Sequence, residues 1–186
     1  QTGALPIYES DMTLTRRFDF GSVDGKILFN YWVWYDLETD YDYLYLLVSE
    51  DGEMWEILRT PLSTRDDPTG NSYGWAYNGK SETWVEEQID LSQFAGKQIF
   101  LRFEYVTDAA VNGDGFLIDD LSIPAVNYET GFEEDDGGWV AEGFVRVINT
   151  LPQTYAISLI QLSAIPQVEE VALNPDTTSI IPVQIQ

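Results

Sequence analysis

The chain contains no cysteine and no histidine among its 186 residues. Without cysteine it forms no disulfides and has no thiolate nucleophile, and without histidine it has no Ser-His-Asp triad. Zinc sites are built mainly from these two residue types, so the usual structural and catalytic zinc centres are excluded as well. Any metal ion must be bound by oxygen atoms, and calcium is the ion that most prefers such ligands.

Positive charge is also scarce, because nine Lys and Arg stand against 32 Asp and Glu, for a formal net charge of −23. Such a surface repels phosphate backbones and anionic lipid headgroups, which argues against nucleic-acid partners. The sequence lacks any apolar run of about 18 residues, so we expect no membrane insertion. It also begins without signal-peptide features, which predicts either a cytosolic chain or a piece of a longer exported protein.

Helical periodicity is missing, whereas the alternation of apolar and polar residues that is typical of strands recurs along the chain. Short strands separated by Gly, Pro and Asn turns predict an all-β fold, a two-sheet antiparallel jelly-roll sandwich. The turn at Glu50-Asp51-Gly52 predicts a hairpin. The predicted strands are 14–20, 27–35, 43–49, 55–58, 74–77, 83–89, 99–106, 115–123, 139–148, 154–162, 168–173 and 179–185.

Proline and turn-forming residues divide the chain into three parts. Residues 1–124 are expected to form the core of the sandwich. The segment 125–150 would complete that sandwich or pack on it, and residues 151–186 would form a C-terminal β extension. Strand 27–35 is apolar or aromatic on both faces, which is typical of a strand covered on both sides, or of one that turns an aromatic face to a ligand.

Two acidic loops are candidate metal sites. The first, 36–42, places carboxylates at alternate positions, and only a divalent cation readily offsets four carboxylates crowded at one turn. It is not an EF-hand, since no Gly stands at its sixth position and, counting from Asp36, the twelfth residue is Leu47. The second loop, 107–115, contains the sharply bending Asn112-Gly113-Asp114-Gly115. The alternative interpretation is that these carboxylates are simply solvated.

Asp119 and Asp120 occupy both faces of an apolar strand, so at least one should point toward the interior. A buried carboxylate without a partner costs several kcal/mol. Arg102 or Arg16 could pair with one of the two, and a calcium ion could satisfy the other. A third acidic stretch, 131–139, is interpreted as a solvated turn.

Aromatic residues offer a different kind of site. Trp32, Trp34 and Tyr43 could line a sheet face on which sugar rings stack. The competing interpretation is that these rings belong to the core of the sandwich. Glycoside hydrolysis is not indicated, because carboxylates are so abundant that their spacing nominates no acid and base pair.

A series of motifs, taken in this order, resembles the non-catalytic region of secreted bacterial immune inhibitor A metallopeptidases over roughly residues 8–150. The series comprises Leu14-Thr15-Arg16, Tyr35-Asp36-Leu37-Glu38, Tyr41-Asp42-Tyr43, Val48-Ser49-Glu50-Asp51-Gly52, Trp55, Gly79-Lys80-Ser81, Trp84, Asp90-Leu91-Ser92-Gln93-Phe94-Ala95-Gly96, Leu101-Arg102-Phe103-Glu104-Tyr105-Val106-Thr107-Asp108, Gly115-Phe116-Leu117-Ile118-Asp119-Asp120-Leu121, Phe132-Glu133-Glu134-Asp135-Asp136 and 139–144.

The resemblance implies a calcium-stabilised jelly roll similar to MAM domains, placed C-terminal to a zinc protease domain. It carries calcium coordination to Glu38, Asp42, Asp108 and Asp119. Loop chemistry adds Asp36, Asn112 and Asp114 as further candidate ligands. The chain lacks the catalytic domain of that family, so protease activity does not transfer.

We therefore predict a non-enzymatic, calcium-binding accessory domain of a secreted or cell-surface bacterial metallopeptidase. Its expected partner is the catalytic domain of the same polypeptide, with a protein or glycan surface as a further possibility. Its expected roles are stability, domain packing or adhesion. The alternative is a carbohydrate-binding module that uses the face of Trp32, Trp34 and Tyr43.

Overall fold

A computed structural model describes residues 1–4, 10–147, 157–161, 167–174 and 178–180. The chain divides into two compact units, 1–148 and 149–186. Among the described residues no helix has the length and apolar character needed to cross a membrane. The predicted strand 179–185 lies mostly outside the described residues.

The described part of the first unit is built from eleven strands and two short 3-10 turns, Ser92–Phe94 and Pro124–Val126. The strands are β1 (Thr2–Ala4), β2 (Asp11–Asp19), β3 (Leu28–Asp36), β4 (Tyr43–Ser49), β5 (Glu56–Ile57), β6 (Val85–Asp90), β7 (Gln98–Val106), β8 (Gly115–Ile123), β9 (Tyr128–Thr130), β10 (Val140–Glu142) and β11 (Phe144–Arg146).

These strands form two sheets. The six-stranded sheet has the order β11-β1-β8-β3-β6, with β9 also paired to β8, and the five-stranded sheet has the order β10-β2-β7-β4-β5. The pairs within the sheets are antiparallel, including the β4–β5 hairpin across the turn at Glu50-Asp51-Gly52. The predicted all-β antiparallel sandwich is therefore confirmed.

The core lies between the inner faces of the two sheets. On β3, Phe29, Tyr31 and Val33 are fully buried, and Phe103 of β7 contacts the rings of Phe29 and Tyr31 from the opposite sheet. Burial of one such side chain contributes about 1.5–3 kcal/mol, so this face decides the register of the strand. The other face of β3 is only partly covered, since Trp32 is 38% exposed.

The long segment between β5 and β6 covers part of the outer face of the five-stranded sheet. Tyr43, Tyr45 and Leu47 of β4 pack there in a second hydrophobic cluster with Ala76. The predicted strand 74–77 is reduced to isolated bridges, which join Tyr77 to Leu44 and Ala76 to Thr64. The segment between β5 and β6 therefore buries a second, smaller hydrophobic core.

The predicted strand 139–148 is wrong as a single element, because the chain changes sheets within it. β10 pairs with β2 in the five-stranded sheet, and β11 pairs with β1 in the six-stranded sheet. Gly143 lies between them with φ +85°, a left-handed conformation that disfavours other residues. In the second unit, β12 (Ile157–Gln161) and β13 (Gln167–Val171) form an antiparallel pair.

Candidate metal centre

The candidate site lies where the chain crosses between the two sheets. The turn 37–42 leads from β3 in the six-stranded sheet to β4 in the five-stranded sheet, and the loop 107–114 leads from β7 back to β8. Tyr43 pairs with Val106 in the five-stranded sheet, and Asp36 pairs with Gly115 in the other. Both acidic loops consequently meet at the same end of the sandwich.

Three carboxylates converge at this end. One carboxylate oxygen from each of Glu38, Asp42 and Asp108 lies within 4.8 Å of the other two. Calcium binds oxygen at about 2.3–2.6 Å, so two oxygens on one ion are at most about 5 Å apart. The three side chains thus lie within the span that one calcium ion bridges.

Asp42 is the buried centre of the cluster, with no exposed surface. Its Oδ1 accepts a hydrogen bond from the Asp108 backbone N–H at 3.0 Å, and its Oδ2 accepts one from the Tyr105 hydroxyl at 3.3 Å. Burial raises the pKa of the Asp42 carboxyl, and those two hydrogen bonds oppose the rise. The neighbouring charges of Asp108 and Glu38 raise this pKa further.

The turn that carries Glu38 and Asp42 is held locally by its own backbone and by one neighbouring amide side chain. The Asp42 N–H donates to the Glu38 carbonyl at 3.0 Å. Asp40 adopts φ +69°, and Asn78 bonds to both its backbone N–H and its carboxylate. Asp40 therefore stabilises the turn through its bonds to Asn78.

In the two acidic loops, two buried side-chain oxygens lack hydrogen-bond partners within the described part of the chain. They are Oε2 of Glu38 and Oδ1 of Asn112, a residue of the 107–114 loop. A buried oxygen acceptor without a donor is costly, and a metal ion removes that cost by accepting its lone pair. The three converging donors are carboxylate oxygens, which fits calcium.

The other predicted ligands have different neighbours. Asp36 Oδ2 accepts from Lys80 Nζ at 2.8 Å, and the charge of Asp114 also acts on Lys80. Asp119 stands on β8 opposite Trp32, with its Oδ1 3.5 Å from the backbone nitrogen of Gln1. Glu38, Asp42 and Asp108 are brought together, whereas coordination by Asp36, Asn112, Asp114 or Asp119 stays a prediction.

Sequence reasoning missed the supporting residues of this centre. Tyr105 donates to Asp42, and burial raises the pKa of its hydroxyl, so the proton needed for that hydrogen bond is retained. Its inward position was readable from the alternation on β7, but its carboxylate partner was not. The pairing of Lys80 with Asp36 depends on the fold of the 59–80 loop, which carries no periodic pattern.

The predicted aromatic ligand face does not form a single surface. Trp32 and Trp34 lie on the outer side of β3 in the six-stranded sheet, while Tyr43 lies on β4 in the other sheet. Tyr43 is 1% exposed beneath the 59–80 loop. Sugar binding on the Trp32 side of the sheet stays a prediction.

Fold and site together define an antiparallel β-sandwich domain with an oxygen-rich candidate metal centre at the ends of its sheets. Residues 10–148 match the family described as immune inhibitor A-like, MAM domain, and the chain belongs to this family. The resemblance found in the ordered motifs is thereby confirmed.

Three curated relatives come from bacteria. The chain is 31% identical over 134 residues to immune inhibitor A of Bacillus thuringiensis subsp. alesti, covering 72% of this chain and 17% of the relative. It is 30% identical over 115 residues to pre-pro-metalloprotease PrtV of Vibrio cholerae serotype O1, covering 61% and 12%. Bacillopeptidase F of Bacillus subtilis is 32% identical over 98 residues, covering 52% and 6%. The chain thus corresponds to a short segment of each of these larger proteins.

Proposed function

We propose that this chain is a calcium-stabilised, non-catalytic accessory domain of an exported bacterial metallopeptidase. Membership of the family supports this, as does the alignment with a short segment of a much longer relative named a metalloprotease. The chain has no histidine, so it supplies no His-Glu-x-x-His motif of its own. Its contribution would be to stability, to packing against the catalytic domain, or to adhesion.

The observation that carries the proposal is the convergence of Glu38, Asp42 and Asp108, of which Asp42 is fully buried. Three carboxylates within one ion's reach repel one another. Within the described part of the chain, two donors, the Asp108 N–H and the Tyr105 hydroxyl, offset the charge of Asp42. Calcium would compensate the negative charge of the three carboxylates, and the buried Oε2 of Glu38 would coordinate it. It would also fasten the 37–42 turn to the 107–114 loop, which joins the two sheets at this end.

Differential scanning calorimetry with calcium and with EDTA tests the metal. An ion that binds only the folded state stabilises it by RT ln(1 + [Ca]/Kd), which is about 2.7 kcal/mol at a hundredfold excess over Kd. For a domain of this size that corresponds to a rise in Tm of about 5–10 °C. An unchanged Tm, together with no calcium by elemental analysis, would contradict the proposal.

Asp42→Asn is the matching substitution, because it removes one charge and keeps the shape of the side chain. We expect it to abolish most of the calcium-dependent rise in Tm and to weaken calcium affinity in isothermal titration. Asp24→Asn is the control, since Asp24 is exposed, lies outside the cluster and is not among the predicted ligands. An equal loss in both variants would show that the cluster is not the principal calcium site.

The relation to a peptidase has its own test in the coding sequence. A His-Glu-x-x-His motif upstream in the same reading frame is expected if the chain is a segment of a metallopeptidase. A reading frame that encodes no such motif would contradict this part of the proposal and leave the calcium site standing.

A further inference from the structure

A shallow pocket of about 260 Å³ adjoins the metal centre. It is lined by Tyr41, Tyr73, Asn71 and Asp108, together with Gly70, Val106 and Thr107. Tyr73 is 71% exposed and Tyr41 is 42% exposed, which makes them the two most exposed aromatic rings of the described residues. Large exposed rings that border a pocket are available to a ligand in a way that core rings are not.

The fold holds Tyr73 in place although the ring is exposed. Its ring stacks on Tyr45, with centroids 5.7 Å apart and planes inclined by 21°, and Tyr45 in turn stacks on Tyr43 at 6.3 Å. The Tyr73 backbone N–H also donates to the Tyr45 hydroxyl at 3.0 Å. Three tyrosines therefore form a stack whose first two rings are buried and whose last ring faces solvent.

The opposite side of the pocket belongs to the metal centre. Tyr41 lies in the turn between Glu38 and Asp42, and its backbone N–H donates to the Glu38 carbonyl at 3.3 Å. Asp108 both lines the pocket and offers a carboxylate oxygen to the cluster. An ion that fixes Glu38, Asp42 and Asp108 would therefore also fix the position of Tyr41 relative to Tyr73.

The chemistry of the lining matches a sugar. Aromatic faces stack on the apolar C–H face of a pyranose ring, while an amide such as Asn71 and a carboxylate such as Asp108 bond to its hydroxyls. Among the described lining residues there is no Lys or Arg, and the only charge is negative. An acidic sugar would be repelled, whereas a neutral or amino sugar would not.

We infer that this pocket, between Tyr41 and Tyr73, binds a neutral or amino sugar residue of a glycan. The sugar extends the stack of Tyr43, Tyr45 and Tyr73 by one ring. Calcium strengthens its binding by ordering the turn that carries Tyr41, and this part of the inference rests on the proposed calcium site. The pocket is distinct from the outer face of the six-stranded sheet, where Trp32 lies.

The test uses the full chain on a printed array of neutral, amino and acidic oligosaccharides in millimolar calcium, followed by isothermal titration with the glycan bound best. We expect neutral or amino glycans to bind and acidic ones not to bind. Tyr73→Ala and Tyr41→Ala should each weaken binding by about tenfold, as the loss of an aromatic contact does at other interfaces. Tyr73→Phe keeps the ring and should retain binding.

Trp32→Ala is the matched control, because it removes another exposed ring on the opposite sheet. Tyr73 is so exposed that its truncation should leave the Tm nearly unchanged, and this is measured for each variant. The inference is overturned if the array shows no bound glycan, if only acidic glycans bind, or if Trp32→Ala abolishes binding while Tyr73→Ala does not.

Calcium titration separates this inference from the proposed function. A chain that binds calcium but no glycan contradicts the sugar site alone, and a chain that binds glycan through Tyr73 but no calcium contradicts the metal site alone. EDTA should weaken the binding of the array hit by the wild-type chain. Sugar binding that is identical in calcium and in EDTA would overturn the coupling between the two sites.

Discussion

Two buried carboxylates in this domain have different environments. Asp42 lies beside two other acidic side chains, where a cation would compensate its charge. Glu87, on β6, is 1% exposed and, among the described residues, belongs to no group of acidic side chains that could hold a metal ion. Its Oε1 accepts the Leu62 N–H at 3.2 Å, and its Oε2 is buried without a partner within the described chain. The surroundings of Glu87 therefore favour the neutral form of its carboxyl group over the charged form.

The hydroxyls of Tyr31 and Tyr77, 2.5 Å apart, are fully buried and electrostatically coupled to Glu87. Burial raises the pKa of the Glu87 carboxyl, while the polar groups of Thr60, Leu62 and Tyr77 partly oppose this rise. The native state thus binds more protons than the unfolded state above the usual pKa of glutamate. Stability must then fall as the pH rises from that value through the raised pKa.

We predict that Glu87→Gln flattens this part of the pH profile, because the amide is neutral at every pH. Urea unfolding at a series of pH values in EDTA measures the effect without a contribution from bound calcium. Glu86→Gln is the control, since Glu86 is the neighbouring residue on the exposed face of β6. A Glu87→Gln profile parallel to that of the wild type would contradict a raised pKa of Glu87.

At the level of the element, the passage from β10 to β11 decides how the sandwich closes. These two three-residue strands belong to different sheets, with one residue between them. That residue, Gly143, has φ +85°, and a Cβ built there would lie 2.4 Å from Cγ of the buried Met12. A side chain at this position must therefore both strain the backbone and displace the buried Met12.

Gly143→Ala is accordingly expected to lower the free energy of unfolding by about 1–3 kcal/mol, the range for a strained φ and an overpacked core. Gly25→Ala offers a matched control, because a Cβ at Gly25 meets no atom within 4 Å and its φ is not in the left-handed region. Urea midpoints of the two variants give the comparison. Equal midpoints would mean that the crossing tolerates a side chain.

Elements with a clear two-residue alternation were predictable, and those decided by tertiary contacts were not. β3 and β7 bury alternate residues over nine positions each, so their pattern is long enough to read. In β8 the alternation shifts by one residue at Asp119 and Asp120, so neither carboxylate is buried. β1 and β9 have three residues each, too few for a pattern, and exist because β8 offers them an edge.

The same limit applied to the candidate site. The alternating carboxylates 36–42 pointed to the turn that carries Glu38 and Asp42, and Asp108 lay in the second acidic loop. Which of the seven predicted ligands converge depended on the pairing of β4 with β7, a long-range contact that the local sequence does not encode. Lys80, which pairs with Asp36, and Tyr105, which donates to Asp42, lie in other segments of the sequence than these carboxylates.

At the level of the whole molecule, the net charge of −23 is unevenly distributed. Four acidic residues lie in each of the segments 36–42, 108–120 and 133–136. The last of these borders a pocket of about 590 Å³ that is also lined by Asp120 and Glu129. Ion pairs between side chains of the described residues are few, namely Lys80 with Asp36, Lys97 with Glu50 and Arg102 with Glu104. Most carboxylates are therefore not compensated by a neighbouring cation, and their mutual repulsion destabilises the folded state.

This repulsion predicts that simple salt stabilises the domain in the absence of calcium. Raising NaCl from 0.01 M to 0.1 M shortens the screening length from about 30 Å to about 10 Å, which weakens repulsion between the acidic segments but not between carboxylates in contact. In EDTA, the Tm of the wild type should rise with NaCl, and that of Asp42→Asn should rise in parallel, because one buried charge contributes little to the long-range field.

Calcium at constant ionic strength should then raise the Tm further in the wild type and much less in Asp42→Asn. A Tm that is independent of NaCl would contradict the repulsion, and a calcium effect reproduced by NaCl alone would show that the ion acts by screening rather than at Glu38, Asp42 and Asp108.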